Sequence, residues 1–385
     1  MKLTAKTLNK FAKNVLSYKE ERGYITFYRY TKAQLDFMED KSYDWGWRMR
    51  GKFTGCIRLE FITDSTEISF EYKTTHSHER ANTVDLYVDG VLTSVYKIND
   101  TLKGKIEYSL PEGEKKIIIY LPNESELAIK NFTLNGNYKS VKDKGERIYI
   151  LGDSITQGAG PDIASAAYFN ALARNTNNTY IAQGIGGYRY EPRDLMRLDG
   201  FEPDKIVIFL GTNYYDTPIE RYDYRWAVEE FYKRLTELYP ETPVISITPL
   251  WRNNNVDWPR FMWCINTIKE ACAPYKSVRV VDGFTLMPNV DECFADGVHP
   301  NAYGSLFLAD NLLGVNNLDS SRIQGVGYNQ RHHTAYGQFF PSTPFIPGAV
   351  GVGYDTVDVY AHHGSEFDMP CVGLSMYLLS EITEN

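Results

Sequence analysis

The sequence predicts an antiparallel β-sandwich followed by an α/β domain with a parallel sheet. From residue 20 to about residue 140, short runs of alternating polarity recur between turn residues, which is typical of antiparallel strands. From residue 147 to about residue 313, apolar runs alternate with helical segments, which is typical of a parallel sheet with helices on both faces. A lysine-rich polar segment, residues 138–146, lies between the two patterns and is interpreted as a linker.

The first part of the chain is expected to consist of β-structure throughout. Its many short strands with period-two patterning favour a sandwich with a jelly-roll-like arrangement. The candidate strands are residues 24–30, 56–62, 67–72, 84–88 and 116–121.

The second part is expected to be a three-layer domain, because its apolar runs lack the polar alternation of half-exposed strands. Its helical segments place apolar residues on one face. The candidate strands are residues 148–151, 180–182, 205–210, 244–247 and 278–281, and the candidate helices are residues 226–239, 261–273 and 302–313.

Composition excludes several classes of protein. The chain has 385 residues and a formal net charge of -8, which argues against a nucleic-acid-binding surface. Apolar runs stay well short of the roughly 20 residues of a membrane span. The N-terminal 23 residues lack the apolar core of a signal peptide, and the five cysteines show no CxxC pair. We therefore expect a soluble, cytoplasmic protein with reduced thiols.

Four short motifs follow predicted strands or the last strand of the α/β domain. Open parallel sheets hold their ligands at the edge where strands end, so these motifs are expected to meet there. The first motif turns a strand into a helix and would present the hydroxyl of Ser154 beside free helical N–H groups, which favour a developing oxyanion. The motifs are Gly152-Asp-Ser-Ile-Thr156, Gly184-Ile-Gly-Gly187, Gly211-Thr-Asn213 and Asp296-Gly-Val-His299.

In this order and spacing, the four motifs resemble those of the SGNH (GDSL-type) serine hydrolase superfamily, which has a flavodoxin-like parallel sheet. The resemblance implies that Ser154 is the nucleophile and His299 its general base. Asp296 would orient the histidine, although some relatives use a backbone carbonyl instead, and the sequence leaves both open. The Ser154 N–H, the Gly187 N–H and the Asn213 amide would form the oxyanion hole.

The residues alone give independent support to one of these roles. The chain contains seven histidines, but only His299 lies between residues 147 and 313. An imidazole base in the α/β domain must therefore be His299. The neighbouring Asp153 is interpreted as a structural hydrogen-bond acceptor in the turn, not as a catalytic acid.

A sandwich before an SGNH domain is similar to the second carbohydrate-esterase family and to esterases with a GxDLY motif. Residues 84–90 match the core of that motif, although Thr83 stands where glycine is usual. The resemblance implies a serine esterase that removes small acyl groups, mainly acetyl, from plant-derived oligosaccharides without a metal or other cofactor. Trp258 is a candidate for lining a sugar-binding cleft. An acyltransferase and an inactive carbohydrate-binding protein are the alternatives, and a homo-oligomer is left open.

These patterns divide the chain into a sandwich at residues 1–142, a hydrolase domain at 143–317 and a tail at 318–385. The resemblance does not extend to the tail, for which packing against the rest of the chain, self-association and poor order are alternatives. The tail holds four histidines and one cysteine, but their spacing fits no known metal-ligand frame. These residues are His332, His333, His362, His363 and Cys371.

Overall fold

A computed structural model of the protein describes residues 1–40, 43–74, 82–98, 102–214, 223–254 and 256–316, so the tail lies outside the described residues. The strands are β1 (Ala12–Lys13), β2 (Ser17–Glu21), β3 (Tyr24–Tyr28), β4 (Arg58–Thr63), β5 (Glu67–Thr74), β6 (Thr83–Val88), β7 (Val91–Lys97), β8 (Lys103–Ser109), β9 (Lys115–Tyr120), β10 (Leu127–Leu134), β11 (Tyr138–Ser140), β12 (Arg147–Gly152), β13 (Thr179–Gly184), β14 (Lys205–Phe209), β15 (Val244–Ile247) and β16 (Val278–Val281). The helices are α1 (Ala5–Phe11), α2 (Lys32–Met38), α3 (Trp45–Gly51), α4 (Ser154–Gln157), α5 (Tyr168–Arg174), α6 (Tyr224–Leu238), α7 (Trp258–Cys272) and α8 (Ala302–Asn316).

Two antiparallel sheets form the predicted sandwich. One sheet has the order β1-β4-β9-β6-β7, with β11 also paired to β4, and the other has the order β2-β3-β10-β5-β8. Their inner faces share an apolar core in which Phe70 stacks on Phe132, with ring centroids 5.4 Å apart. Because β11 belongs to the first sheet, the segment interpreted as a linker begins as a strand, and only residues 141–146 connect the two parts of the chain.

The expectation of β-structure throughout residues 20–140 is wrong between β3 and β4, where the chain forms α2 and α3. Each helix has a clear start signal. Thr31 and Gln34 form a capping box at α2, and the Asp44 side chain accepts the N–H of Trp47 at α3. The composition of α3, with two glycines and two tryptophans, does not by itself indicate a helix. The capping residues are the local signal that does.

The α/β part contains a parallel sheet with the order β13-β12-β14-β15-β16, as in flavodoxin-like folds. Alternate residues of β12 point to opposite faces. Ile148 and Ile150 lie in the core that includes α5 and α8, whereas Tyr149 and Leu151 lie in the core that includes α6 and α7. The predicted α/β architecture is confirmed. Helices α6 and α7 begin before their predicted starts, because Asp223 and Asp257 cap their first turns.

Buried polar contacts join the sandwich to the α/β part. The Thr83 hydroxyl accepts the N–H of Ala164 at 2.9 Å, and the Asp85 carboxylate accepts the N–H of Ser165 at 2.7 Å. Both acceptors belong to β6, the strand that carries the motif similar to GxDLY. That motif therefore contributes to the contact between the sandwich and the chain that precedes α5.

Among the described helices, none is long and apolar enough to cross a membrane. The divisions of the chain at residues 142 and 317 and the jelly-roll arrangement stay predictions.

Candidate active site

Ser154 lies at the carboxyl edge of the parallel sheet, where β12 ends and α4 begins. The turn is tight, because a Cβ at Gly152 would lie 2.0 Å from Oγ1 of Thr156. The Asp153 side chain accepts the N–H of Ile155 at 3.1 Å and caps α4, as its structural interpretation predicts. The turn therefore fixes the backbone of Ser154 and leaves its hydroxyl facing the loops at this edge.

His299 contacts both Ser154 and Asp296. Its Nε2 atom is 2.8 Å from Oγ of Ser154, and its Nδ1 atom is 2.8 Å from Oδ2 of Asp296. The same carboxylate accepts the backbone N–H of His299 at 2.9 Å and that of Val298 at 3.1 Å. Of the two partners left open by the sequence, the carboxylate is the one that lies against Nδ1. The three side chains thus form a continuous chain of hydrogen bonds.

The charges around His299 favour its protonated form. Burial alone would lower the pKa of His299, but the hydrogen bond and charge of Asp296 outweigh it, with help from Asp153 and Glu124, and raise the pKa above its ordinary value of 6.5. For the Asp296 carboxyl, burial acts in the opposite direction and would raise the pKa. Hydrogen bonds from His299 outweigh burial and hold the pKa of Asp296 well below its usual range. Asp296 is therefore ionised at neutral pH and stabilises a positive charge on the imidazole.

The glycine turn after β13 lies beside α4. The N–H of Gly186 donates to Oε1 of Gln157 at 2.8 Å, so that N–H is occupied. Gly187 has a φ of 76°, a left-handed conformation that favours glycine. Within the described part of the chain, no acceptor contacts the N–H of Gly187. Of the two glycines, Gly187 is therefore the one with a backbone donor left for a ligand.

Asn213 follows β14 and reaches the same turn. Its Nδ2 atom donates to the carbonyl of Tyr188 at 3.0 Å, which orients the amide beside Gly187. Arg252, in the loop after β15, donates to the carbonyl of Thr212 at 3.0 Å. That contact holds the short turn that carries Asn213. The structure thus connects the third predicted oxyanion donor to the glycine turn.

Three residues that contact the glycine turn were missed by the sequence analysis: Trp47, Arg50 and Gln157. Trp47 Nε1 donates to the carbonyl of Gly187 at 3.1 Å, and Arg50 Nη1 donates to that of Gly186 at 3.0 Å. Both lie on α3, in a segment with no strand or motif signal. Gln157 could have been found, because it lies one helical turn after Ser154.

Trp258 begins α7 and is 39% exposed. Its ring packs edge-on against Trp251, with centroids 5.9 Å apart, and also contacts Phe261 and Phe284. Its role in a sugar-binding cleft stays a prediction. No group of three or more possible metal ligands occurs in the ranges that the structure describes, and the five tail residues considered for a metal lie outside those ranges.

Residues 150–305 match the model of the GDSL-like Lipase/Acylhydrolase family. The match spans Ser154, Gly187, Asn213, Asp296 and His299. No curated protein sequence matches the chain.

Several solved structures share the fold at low sequence identity. A Bacteroides ovatus protein described as a GDSL-like lipase is 18% identical to this chain, with a TM-score of 0.64 over 86% of this chain and 99% of its own. The salicylyl-acyltransferase SsfX3 from a tetracycline biosynthetic pathway is 17% identical, with a TM-score of 0.63 over 80% of this chain and 95% of its own. A family two carbohydrate esterase from Clostridium thermocellum, solved in complex with cellohexaose, is 19% identical, with a TM-score of 0.55 over 69% of this chain and 93% of its own.

Proposed function

We propose that the protein is a serine esterase that removes small acyl groups, foremost acetyl, from carbohydrate hydroxyls through an acyl-enzyme on Ser154. The observation that carries the proposal is the chain of hydrogen bonds from Ser154 through His299 to Asp296. The distance is 2.8 Å both from Ser154 Oγ to His299 Nε2 and from His299 Nδ1 to Asp296 Oδ2. This is the arrangement that activates a serine for attack on an ester.

In the proposed reaction, the Nε2 atom of His299 takes the Ser154 proton as Oγ bonds to the ester carbonyl carbon. The carbonyl oxygen becomes an oxyanion, stabilised by the N–H groups of Ser154 and Gly187 and by the Asn213 amide. Each such donor contributes about 2.7–4 kcal/mol to transition-state stabilisation. Protonated His299 then gives its proton to the departing alcohol oxygen. Water repeats the sequence on the acyl-enzyme and releases the acid.

The carbohydrate assignment has two supports. The fold is shared with a family two carbohydrate esterase and with an acetyl xylan esterase from Butyrivibrio proteoclasticus. In addition, the motif similar to GxDLY places Asp85 at the contact between sandwich and hydrolase domain. We infer that plant-derived oligosaccharides are the class of substrate. Trp258 is the aromatic residue that we assign to their binding.

A second candidate is an acyltransferase, favoured by the shared fold with a salicylyl-acyltransferase. Transfer uses the same acyl-enzyme but passes the acyl group to an alcohol instead of water. Product analysis with a free oligosaccharide acceptor separates the two, because a transferase would give acylated acceptor faster than free acid.

The first test compares the wild type with Ser154→Ala on 4-nitrophenyl acetate and butyrate and on acetylated xylo- and manno-oligosaccharides. We expect turnover by the wild type, preference for acetylated sugars, and a loss of at least about 10³-fold in kcat for Ser154→Ala. Ser109→Ala, an exposed serine of the sandwich, is the matched control. Equal turnover by both serine variants would contradict the mechanism. Turnover of aryl esters alone would contradict the carbohydrate assignment.

A further inference from the structure

The peptide groups around Gly187 are almost completely bound by other parts of the protein. The N–H of Ile185 donates to the carbonyl of Gly152 at 3.3 Å, and the N–H of Tyr188 donates to the carbonyl of Ile185 at 3.0 Å. The N–H of Gly186 donates to the side chain of Gln157 at 2.8 Å. The N–H of Gly187 is the exception in this stretch. The N–H of Gly187 is therefore the one donor left for a ligand among residues 185–188, and the N–H groups on either side of it are held by hydrogen bonds.

The carbonyls of the same turn are held by α3. Arg50 donates to the carbonyl of Gly186 at 3.0 Å, and the indole N–H of Trp47 donates to the carbonyl of Gly187 at 3.1 Å. A peptide unit is planar and trans, so the Gly186 carbonyl and the Gly187 N–H point in opposite directions. By binding that carbonyl, Arg50 fixes the direction in which the Gly187 N–H points.

Two consecutive glycines need such a restraint. Glycine has access to a wider range of backbone conformations than any other residue, so the peptide between Gly186 and Gly187 has little intrinsic preference for one orientation. An oxyanion donor stabilises a transition state only when it is already oriented before charge develops. Here the sequence alone leaves the turn flexible, and external contacts must orient it.

Helix α3 is itself firmly docked. The Trp47 ring contacts that of Tyr188, with centroids 4.9 Å apart, and the Asp44 side chain caps the helix. At the other end of the helix, a Cβ at Gly51 would lie 2.9 Å from Sδ of Met38, which shows how closely α3 packs on α2. The two donors therefore come from a well-supported element of the N-terminal part of the chain.

We propose that Trp47 and Arg50 are positioning residues that orient the Gly187 N–H for the oxyanion of the reacting ester. The inference rests on the proposed function. It gives the N-terminal part of the chain a share in catalysis that acts through the glycine turn.

The test uses the full chain with Arg50→Ala, Arg50→Lys and Trp47→Phe, and with Arg48→Ala as a control on the same helix. We expect kcat to fall by about 10–100-fold in Arg50→Ala, with KM within about twofold of the wild type, because the donor acts on the transition state. Arg50→Lys keeps a cationic donor and should recover part of the loss. Trp47→Phe keeps the aromatic packing and should also lower kcat. Arg48→Ala should retain the wild-type value.

Hydrogen exchange followed by mass spectrometry gives a readout that needs no substrate. We expect faster exchange across residues 184–190 in Arg50→Ala and Trp47→Phe than in Arg48→Ala, with equal melting temperatures. If the wild type hydrolyses no ester, the proposed function fails and this exchange decides the positioning alone. Unchanged exchange in residues 184–190, or a kcat for Arg50→Ala equal to that of Arg48→Ala, would overturn the inference.

Discussion

The Asp296 carboxylate binds His299 at two places: Oδ2 lies 2.8 Å from Nδ1 of the ring, and Oδ1 accepts the backbone N–H of the same residue at 2.9 Å. One side chain thus orients the imidazole and shapes the loop that carries it. Because Asp296 is ionised, Nδ1 bears the hydrogen when the ring of His299 is neutral, and the lone pair of Nε2 then faces Ser154.

This relationship predicts the pH dependence of the activity. The pKa of His299 lies above 6.5, and only neutral imidazole accepts the Ser154 proton, so kcat/KM should fall as the pH decreases through a value above 6.5. Asp296→Asn removes the partner charge that raises this pKa, so the acidic limb should move to lower pH. The rate should also fall by roughly 10⁴-fold. Rate profiles from pH 5 to 9 measure both, and an acidic limb that stays in place would contradict the assignment.

A second prediction concerns Asn213. Asn213→Ala removes one of the three proposed oxyanion donors, so kcat should fall by about 10²–10³-fold while KM changes little. Asn175→Ala, at the end of α5, is the control of the same residue type and should keep its activity. Steady-state kinetics on an acetyl ester measure the effect. A change confined to KM would mean that Asn213 binds the substrate without stabilising the transition state.

The contact between Thr83 and Ala164 predicts a loss of stability. Thr83→Val keeps the shape of the side chain but leaves the buried N–H of Ala164 without its acceptor, which should lower the free energy of unfolding by about 1–3 kcal/mol. Thr93→Val changes an exposed threonine of the neighbouring strand and should stay within about 0.5 kcal/mol of the wild type. Urea unfolding gives both values. Equal stability of the two variants would show that the Thr83 contact contributes nothing.

The raised pKa of the buried Asp194 carboxyl leads us to expect that the stability of the protein depends on pH. It accepts hydrogen bonds from the hydroxyls of Tyr43 and Tyr188, and burial raises its pKa from 3.8 to about 6. The folded state therefore binds this proton more tightly than the unfolded state does. The resulting stabilisation is complete below pH 3.8 and is lost as the pH rises through about 6.

Asp194→Asn abolishes this titration, so its stability relative to the wild type should increase as the pH rises from 4 to 7. The control is Asp204→Asn. Asp204 is exposed, and its pKa in the folded state is about 2, below its ordinary value of 3.8. It is therefore ionised in both the folded and the unfolded state above about pH 5, and its replacement should give a constant difference from there to pH 7. Urea unfolding at several pH values measures both differences. A constant difference for Asp194→Asn would contradict the prediction.

Most of the α/β fold was predictable, because each buried strand is a short apolar run between turn residues. Strands β15 and β16 have the predicted bounds, residues 244–247 and 278–281. The helices α2 and α3 were not predicted. Their signals are local capping residues such as Thr31 and Asp44, which a search for alternating polarity overlooks.

The candidate site was predictable in outline for a related reason. Ser154, Gly187 and Asn213 each follow a strand of one parallel sheet, so a correct strand assignment brings them to one edge. For the backbone donor of the glycine turn, the resemblance to the family selects Gly187 and not its neighbour Gly186. The hydrogen bond from Gly186 to Gln157 supplies a physical reason for it.

The sequence by itself determined the fold class and the meeting of Ser154 with His299, because strand periodicity and the end points of parallel strands are local properties. Only the tertiary structure decided which group contacts Nδ1 of His299 and which residues hold the glycine turn. Trp47 and Arg50 are 140 and 136 residues from the glycines that they bind. Contacts of that range depend on how the sandwich packs against the parallel sheet, and no local pattern encodes that packing.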